Sequence, residues 1–146
     1  MIKEKLLNDL KEAMKDKNLI RKNTVQMVRA AILQVEKDKQ IELTDEQAIE
    51  IIAKEAKKRK DAEAEFEKSG REDLIKQNKE EIEILTEYLP KQLSIEEIEG
   101  IVKNIIAEIG ATSMKDMGTV MRAAKEKIGA AADGKAISDA VKKLLS

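Results

Sequence analysis

Proline occurs once, at position 90, in a chain of 146 residues whose aliphatic side chains otherwise recur three and four apart from end to end. That spacing lines one face of a helix, whereas a half-buried strand alternates every second residue. No segment shows strand alternation, so the fold class read from the sequence is all-α. Proline lacks an amide donor and disfavours helix in the residue before it, so residues 90–93 read as a linker. Two parts are expected. Residues 1–92 form a four-helix N-terminal domain with a long helical hairpin, and residues 93–146 form a small C-terminal three-helix domain.

Local signals place the helices. Ile2, Leu6, Leu10 and Met14 stand four apart, with Leu7 and Ala13 beside them. Leu19 to Lys37 carries a stripe of Val25, Val28, Ile32 and Val35. Met27, Ala30, Ala31 and Leu33 widen it, which predicts burial from two sides. Thr44 with Gln47 reads as a capping box opening a third helix. Ala48, Ile49, Ile52 and Ala56 bury its first half. Residues 54–68 then turn polar, with Ala62 and Phe66 keeping an apolar edge as far as Gly70. Such a helix has about 25 residues and runs about 38 Å. Ile75, Ile82 and Leu89 recur seven apart, with Asn78 and Leu85 between them, and give a fourth helix a short heptad seam. It packs back on the third as an antiparallel hairpin. Ser94 with Glu97 forms a second capping box ahead of Ile95, Ile98, Val102, Ile105 and Ile109, and Gly110 ends that helix. Ser113 with Asp116 opens another, carrying Met117, Met121, Ala124 and Ile128 up to Gly129. Asp133 caps the last helix, with Ile137, Val141, Leu144 and Leu145 on its face.

The residue inventory removes whole classes of chemistry. There is no His and no Cys. Zinc, iron–sulfur, haem and copper sites, Ser-His-Asp and Cys-His nucleophiles, and disulfides therefore have no ligands or partners to use. No metal and no cofactor are expected. Phe66 and Tyr88 are the only aromatics, which argues against a base-stacking platform. No P-loop and no G-x-G-x-x-G occurs. Adjacent acids such as Glu80 and Glu81, or Glu96 and Glu97, do not face each other on a helix and make no acid–base pair. Lys and Arg number 28 against 29 Asp and Glu, a net charge of -1, so a strongly basic coat is excluded but a local patch is not. No apolar run of about 20 residues spans a membrane. The N-terminal MIKEKLLNDL has no apolar block, so a cytoplasmic protein without a signal peptide is expected.

Several segments resemble the YqeY-like family. They are LKEAMKDK and MVRAAI near the start, KKRKDAEAEFEKSGREDL and EIEILTEYLPKQLS in the middle, and SMKDMGTVMRAAKEKIGAAADGK near the end. The family shares a domain with the C-terminal tail of the kinase-like component of the bacterial tRNA-dependent amidotransferase. The resemblance implies an all-helical, two-part protein. It also implies an RNA partner, because that tail helps to hold the tRNA body while misacylated aminoacyl-tRNA is amidated. The family is often labelled a carbon–nitrogen ligase with glutamine as amido-N-donor, although this chain has no part that binds ATP or glutamine as the complete enzyme does. The cradle that binds ATP is absent from this chain. Two departures stand out. Asp133-Gly134 replaces the tail's usual Asn-Pro, and Ala130, Ala131 and Ala132 replace a loop that carries an Arg in many stand-alone members.

Two stretches are candidates for RNA contact, and no residue is assigned as catalytic. Lys54, Lys57, Lys58 and Lys60, with Arg59, form the densest positive run, and such cations dock on phosphates with release of counterions. Asp61 and Glu65 share their sector, and Arg59 stands four residues from Glu55 and Glu63, so a solvated, salt-bridge-laced helix is the first explanation of the run and RNA contact the second. Gly118, Arg122, Lys125, Lys127, Gly134 and Lys135 form the second set. Helix starts and glycine-rich loops offer free amides to phosphate oxygens. Helix punctuation explains Gly129 and Gly134 equally. Close helix packing is the first explanation of Gly118 and room for a ligand backbone the second. Met114, Met117 and Met121 read as core. A protein–protein adaptor, presenting the hairpin and the small domain to a partner protein with no RNA role, is the alternative.

Overall fold

The computed structural model describes residues 1–146 as seven α-helices with no strand. The chain forms two compact units, Met1–Leu89 and Pro90–Ser146. The first contains α1 (Ile2–Lys15), α2 (Leu19–Lys39), α3 (Asp45–Ser69) and α4 (Glu72–Thr86). The second contains α5 (Ile95–Ile109), α6 (Met117–Ile128) and α7 (Gly134–Leu145), with a 3-10 turn at Met114–Asp116. Residues 90–92, expected with the first part, group with the second. Gln92 Nε2 donates to the Ala130 carbonyl at 3.0 Å and the Leu93 amide to that of Ala131 at 2.9 Å. The strap after the proline is therefore pinned rather than free.

Capping chemistry sets the helix starts. At α3, the Gln47 amide donates to Thr44 Oγ at 3.3 Å, and the Thr44 amide donates to Gln47 Oε1 at 3.0 Å. The same reciprocal pair joins Ser94 and Glu97 at α5. Asp133 accepts from the Ala136 amide at 2.8 Å and opens α7. The start of α6 differs from expectation. Ser113 accepts from Lys115 and so caps the 3-10 turn, while Asp116 turns back to accept from the Thr112 amide at 3.0 Å. Gly70, Gly110 and Gly129 end their helices with positive φ, a region where a Cβ collides with the following carbonyl.

Each unit has its own core. In the first, Leu6 and Leu10 of α1, Val25, Val28 and Ile32 of α2, Ala48, Ile52 and Ala56 of α3, and Leu85 of α4 are buried together. The second is built from Ile98, Val102 and Ile105, Val120, Ala124 and Ile128, and Ile137, Ala140, Val141 and Leu145. Several expectations of burial are corrected. Met14 is exposed, and so are Met27 and Leu33 on the outer side of α2, which packs on α1, α3 and α4 but leaves that strip open. Met114 is exposed on its 3-10 turn. On α4 the deep residues are Asn78, Ile84 and Leu85, while Ile75 and Ile82, and Leu89 beyond the helix, stay half-buried.

Polar ties join the helices of the first unit. The Asn78 side chain donates to the Arg59 carbonyl at 2.9 Å and bolts α4 to α3. Tyr88 is buried and its hydroxyl donates to Asp9, which Lys5 also contacts at 3.1 Å. Arg21 forks onto Glu87 at 2.7 and 3.1 Å. Burial pushes the Asp9 carboxyl up, but the hydrogen bonds from Tyr88 and Lys5 outweigh it and hold it below the usual range. The Arg21 hydrogen bonds hold Glu87 low, and the Lys3 ammonium with the Leu43 amide does the same for Glu36. Burial, then the Asp9 hydrogen bond, drives the Tyr88 phenol well above its ordinary value.

These directions predict the pH response. Carboxyls with folded values below their unfolded ones bind fewer protons in the folded state, so stability is highest above the unfolded values and falls as pH drops through the folded ones. The melting temperature should decline between about pH 5 and pH 3. The raised phenol adds a loss above about pH 10, where the unfolded tyrosine ionises first. Thermal melts followed by circular dichroism across this range check the sign. A melting temperature that rises on acidification contradicts it.

Candidate nucleic-acid interface

At about 100° per residue, the buried side chains of α6 centre on Val120, Ala124 and Ile128. Gly118, Arg122 and Lys125 project from the opposite, exposed side within about 60° of one another. Neither Arg122 nor Lys125 has a carboxylate within salt-bridge distance. Lys115, exposed on the preceding 3-10 turn, is a further cation with no carboxylate within salt-bridge distance. The spacing of cations on α6 does not reveal it, because it lies outside the helix. Glu126 borders the row, and Asp116 is engaged with the Thr112 amide.

The glycine in this row has an unexpected environment. A Cβ built on Gly118 meets nothing within 4 Å. The expectation of close helix packing is therefore corrected, and a positive φ does not require the glycine either. What remains is a bare stretch of helix surface one turn ahead of Arg122.

The other candidates of this segment lie elsewhere. Lys127 is exposed but turned about 140° or more from Arg122 and Lys125. Lys135 is exposed on α7. Gly134 starts that helix, and the Asp133 carboxylate already occupies the Ala136 amide, so the protein fills its own anion position there. The carbonyls of Ala130 and Ala131 are held by Gln92 and Leu93.

The basic run of α3 belongs to the first unit. Lys54, Lys57 and Lys58 project from its exposed side, and Asp61 and Glu65 are exposed there with them. Lys58 pairs with Glu55 at 3.4 Å. Lys60 is half-buried on the flank. Arg59 is withdrawn from solvent between Glu55 at 3.1 Å and Glu81 of α4 at 2.8 Å. The expected partner Glu63 is replaced by Glu81, because the hairpin brings α4 alongside. Lys58 and Arg59 of this run are paired with carboxylates, while Arg122 and Lys125 on α6 are not, although Glu126 stands one turn after Arg122.

Both clusters can attract phosphate oxygens, and neither presents a nucleophile or a base with an ordinary pKa near neutrality. No three His, Cys, Asp or Glu side chains converge as a metal site. No helix is long and apolar enough to cross a membrane.

Comparison with known proteins places these features in context. The model of a family described as "Yqey-like protein" matches residues 3–145. Among curated relatives, the "Altered inheritance of mitochondria protein 41, mitochondrial" of Kluyveromyces lactis is 38% identical over 108 residues, covering 71% of this chain and 58% of the relative. Its counterpart in Lachancea thermotolerans is 36% identical over 107 residues, covering 71% and 57%. That of Pyrenophora tritici-repentis is 29% identical over 146 residues, covering 97% and 79%. The chain thus spans less than three fifths of the length of the first two. All three are named as mitochondrial proteins, which overturns the cytoplasmic expectation.

Proposed function

This chain belongs to the Yqey-like protein family, and we propose that it is a helical RNA-binding module whose ligand is tRNA, accessory to the amidation of misacylated aminoacyl-tRNA. The row on α6 carries the reading. Exposed cations with no acidic partner release counterions when they meet phosphates, and this release is the main source of affinity for a nucleic-acid backbone. The same segment, Gly118 to Lys135, resembles the tail that steadies tRNA in the amidotransferase. Holding, rather than chemical transformation, suits a chain with no imidazole and no thiol.

The test is a titration of labelled tRNA with the full chain at low salt, read by gel shift or anisotropy. A saturable complex with a dissociation constant in the micromolar range or tighter is expected. Absence of any complex at low salt overturns the reading.

A further inference from the structure

We propose that the α6 face grips paired RNA through its sugar–phosphate backbone and does not read or stack on bases, a proposal that rests on the RNA-binding reading above. Three observations carry it. The second unit, Pro90–Ser146, contains no aromatic side chain, since Phe66 and Tyr88 both lie in the first. The row on α6 runs about 10 Å along the helix from Gly118 to Lys125, with Arg122 and Lys125 within about 60° of each other. Gly118 leaves open space where a side chain would hold a backbone away.

These features match a stem better than a loose strand. Proteins that bind single strands recover the cost of ordering them by stacking bases on aromatic rings, about 1–3 kcal/mol per base. This surface has no ring to offer. A paired stem arrives with its phosphates and 2′-hydroxyls already ordered, and its wide minor groove displays them to a protein that recognises shape. A bare helix surface bearing Arg122 and Lys125 can lie against such a backbone with little ordering cost on either side.

The experiment is a competition in which the full chain is first bound to labelled tRNA and then challenged with a short RNA duplex, a DNA duplex of the same sequence, or poly(U). The RNA duplex should displace tRNA at the lowest concentration, and poly(U) should require at least about tenfold more, the equivalent of one missing stacked base. Poly(U) competing as well as the duplex overturns the proposal. Equal competition by the DNA duplex overturns its assignment to RNA. Phe66→Ala provides the second readout. Unchanged tRNA affinity agrees with a site free of stacking, and a tenfold loss places a stacked base on the hairpin and contradicts it. Failure of tRNA itself to bind shows before any competitor is added, and it counts against the RNA-binding reading instead.

Discussion

Exchanging Arg122 and Lys125 together for glutamate lowers the affinity for tRNA by at least about tenfold at low salt, with the fold intact. Both side chains are exposed and make no ion pair, so their replacement leaves no buried charge behind. The double exchange turns the centre of the α6 row from positive to negative, so it removes the phosphate contacts and adds repulsion. Charge reversal of Lys54, Lys57 and Lys58 on α3 should cost less than about threefold, because Asp61 and Glu65 already offset that surface. Filter binding of the two variants, beside circular dichroism to confirm folding, decides between the units. A larger loss from the α3 variant moves the interface to the hairpin.

Leu85→Ala destabilises the first unit by about 3 kcal/mol. Leu85 is fully buried in the core of the first unit, where α4 packs on α2 and α3. Truncation there leaves a cavity that packed neighbours fill only in part. For a unit of this size the melting transition should fall by roughly 12–24 °C. The candidate RNA face belongs to the second unit, so tRNA affinity measured well below the transition should change by less than about twofold, a small fraction of the salt-sensitive binding energy. Calorimetry and binding on the same preparation check both halves. A melting shift of only a degree or two contradicts the assigned core, and a large loss of affinity at low temperature contradicts the assigned face.

What was legible in the sequence followed from local rules. Thr44–Gln47 and Ser94–Glu97 marked helix starts because capping boxes act over three residues, and Gly70 and Gly129 marked ends because their φ is positive. The length of α3 followed from those two marks. Contacts distant in sequence were not legible. Tyr88 reaches Asp9 across 79 positions, and Arg59 finds Glu81 only after the hairpin closes. Asp116 looked like part of a cap but serves the Thr112 amide, since the 3-10 turn repositions it. The candidate cations were visible as residue types. Their division into a shared face, Arg122 and Lys125, and separate positions, Lys127 and Lys135, came from helix phase and the position of the core.

The dependence of tRNA affinity on salt tests the central claim most directly, because phosphate neutralisation has a fixed signature. Log affinity of the full chain should fall linearly with log salt with a slope of about -2 to -4, matching the few cations on the α6 row. A slope near zero, with affinity retained at high salt, contradicts a backbone grip by these side chains.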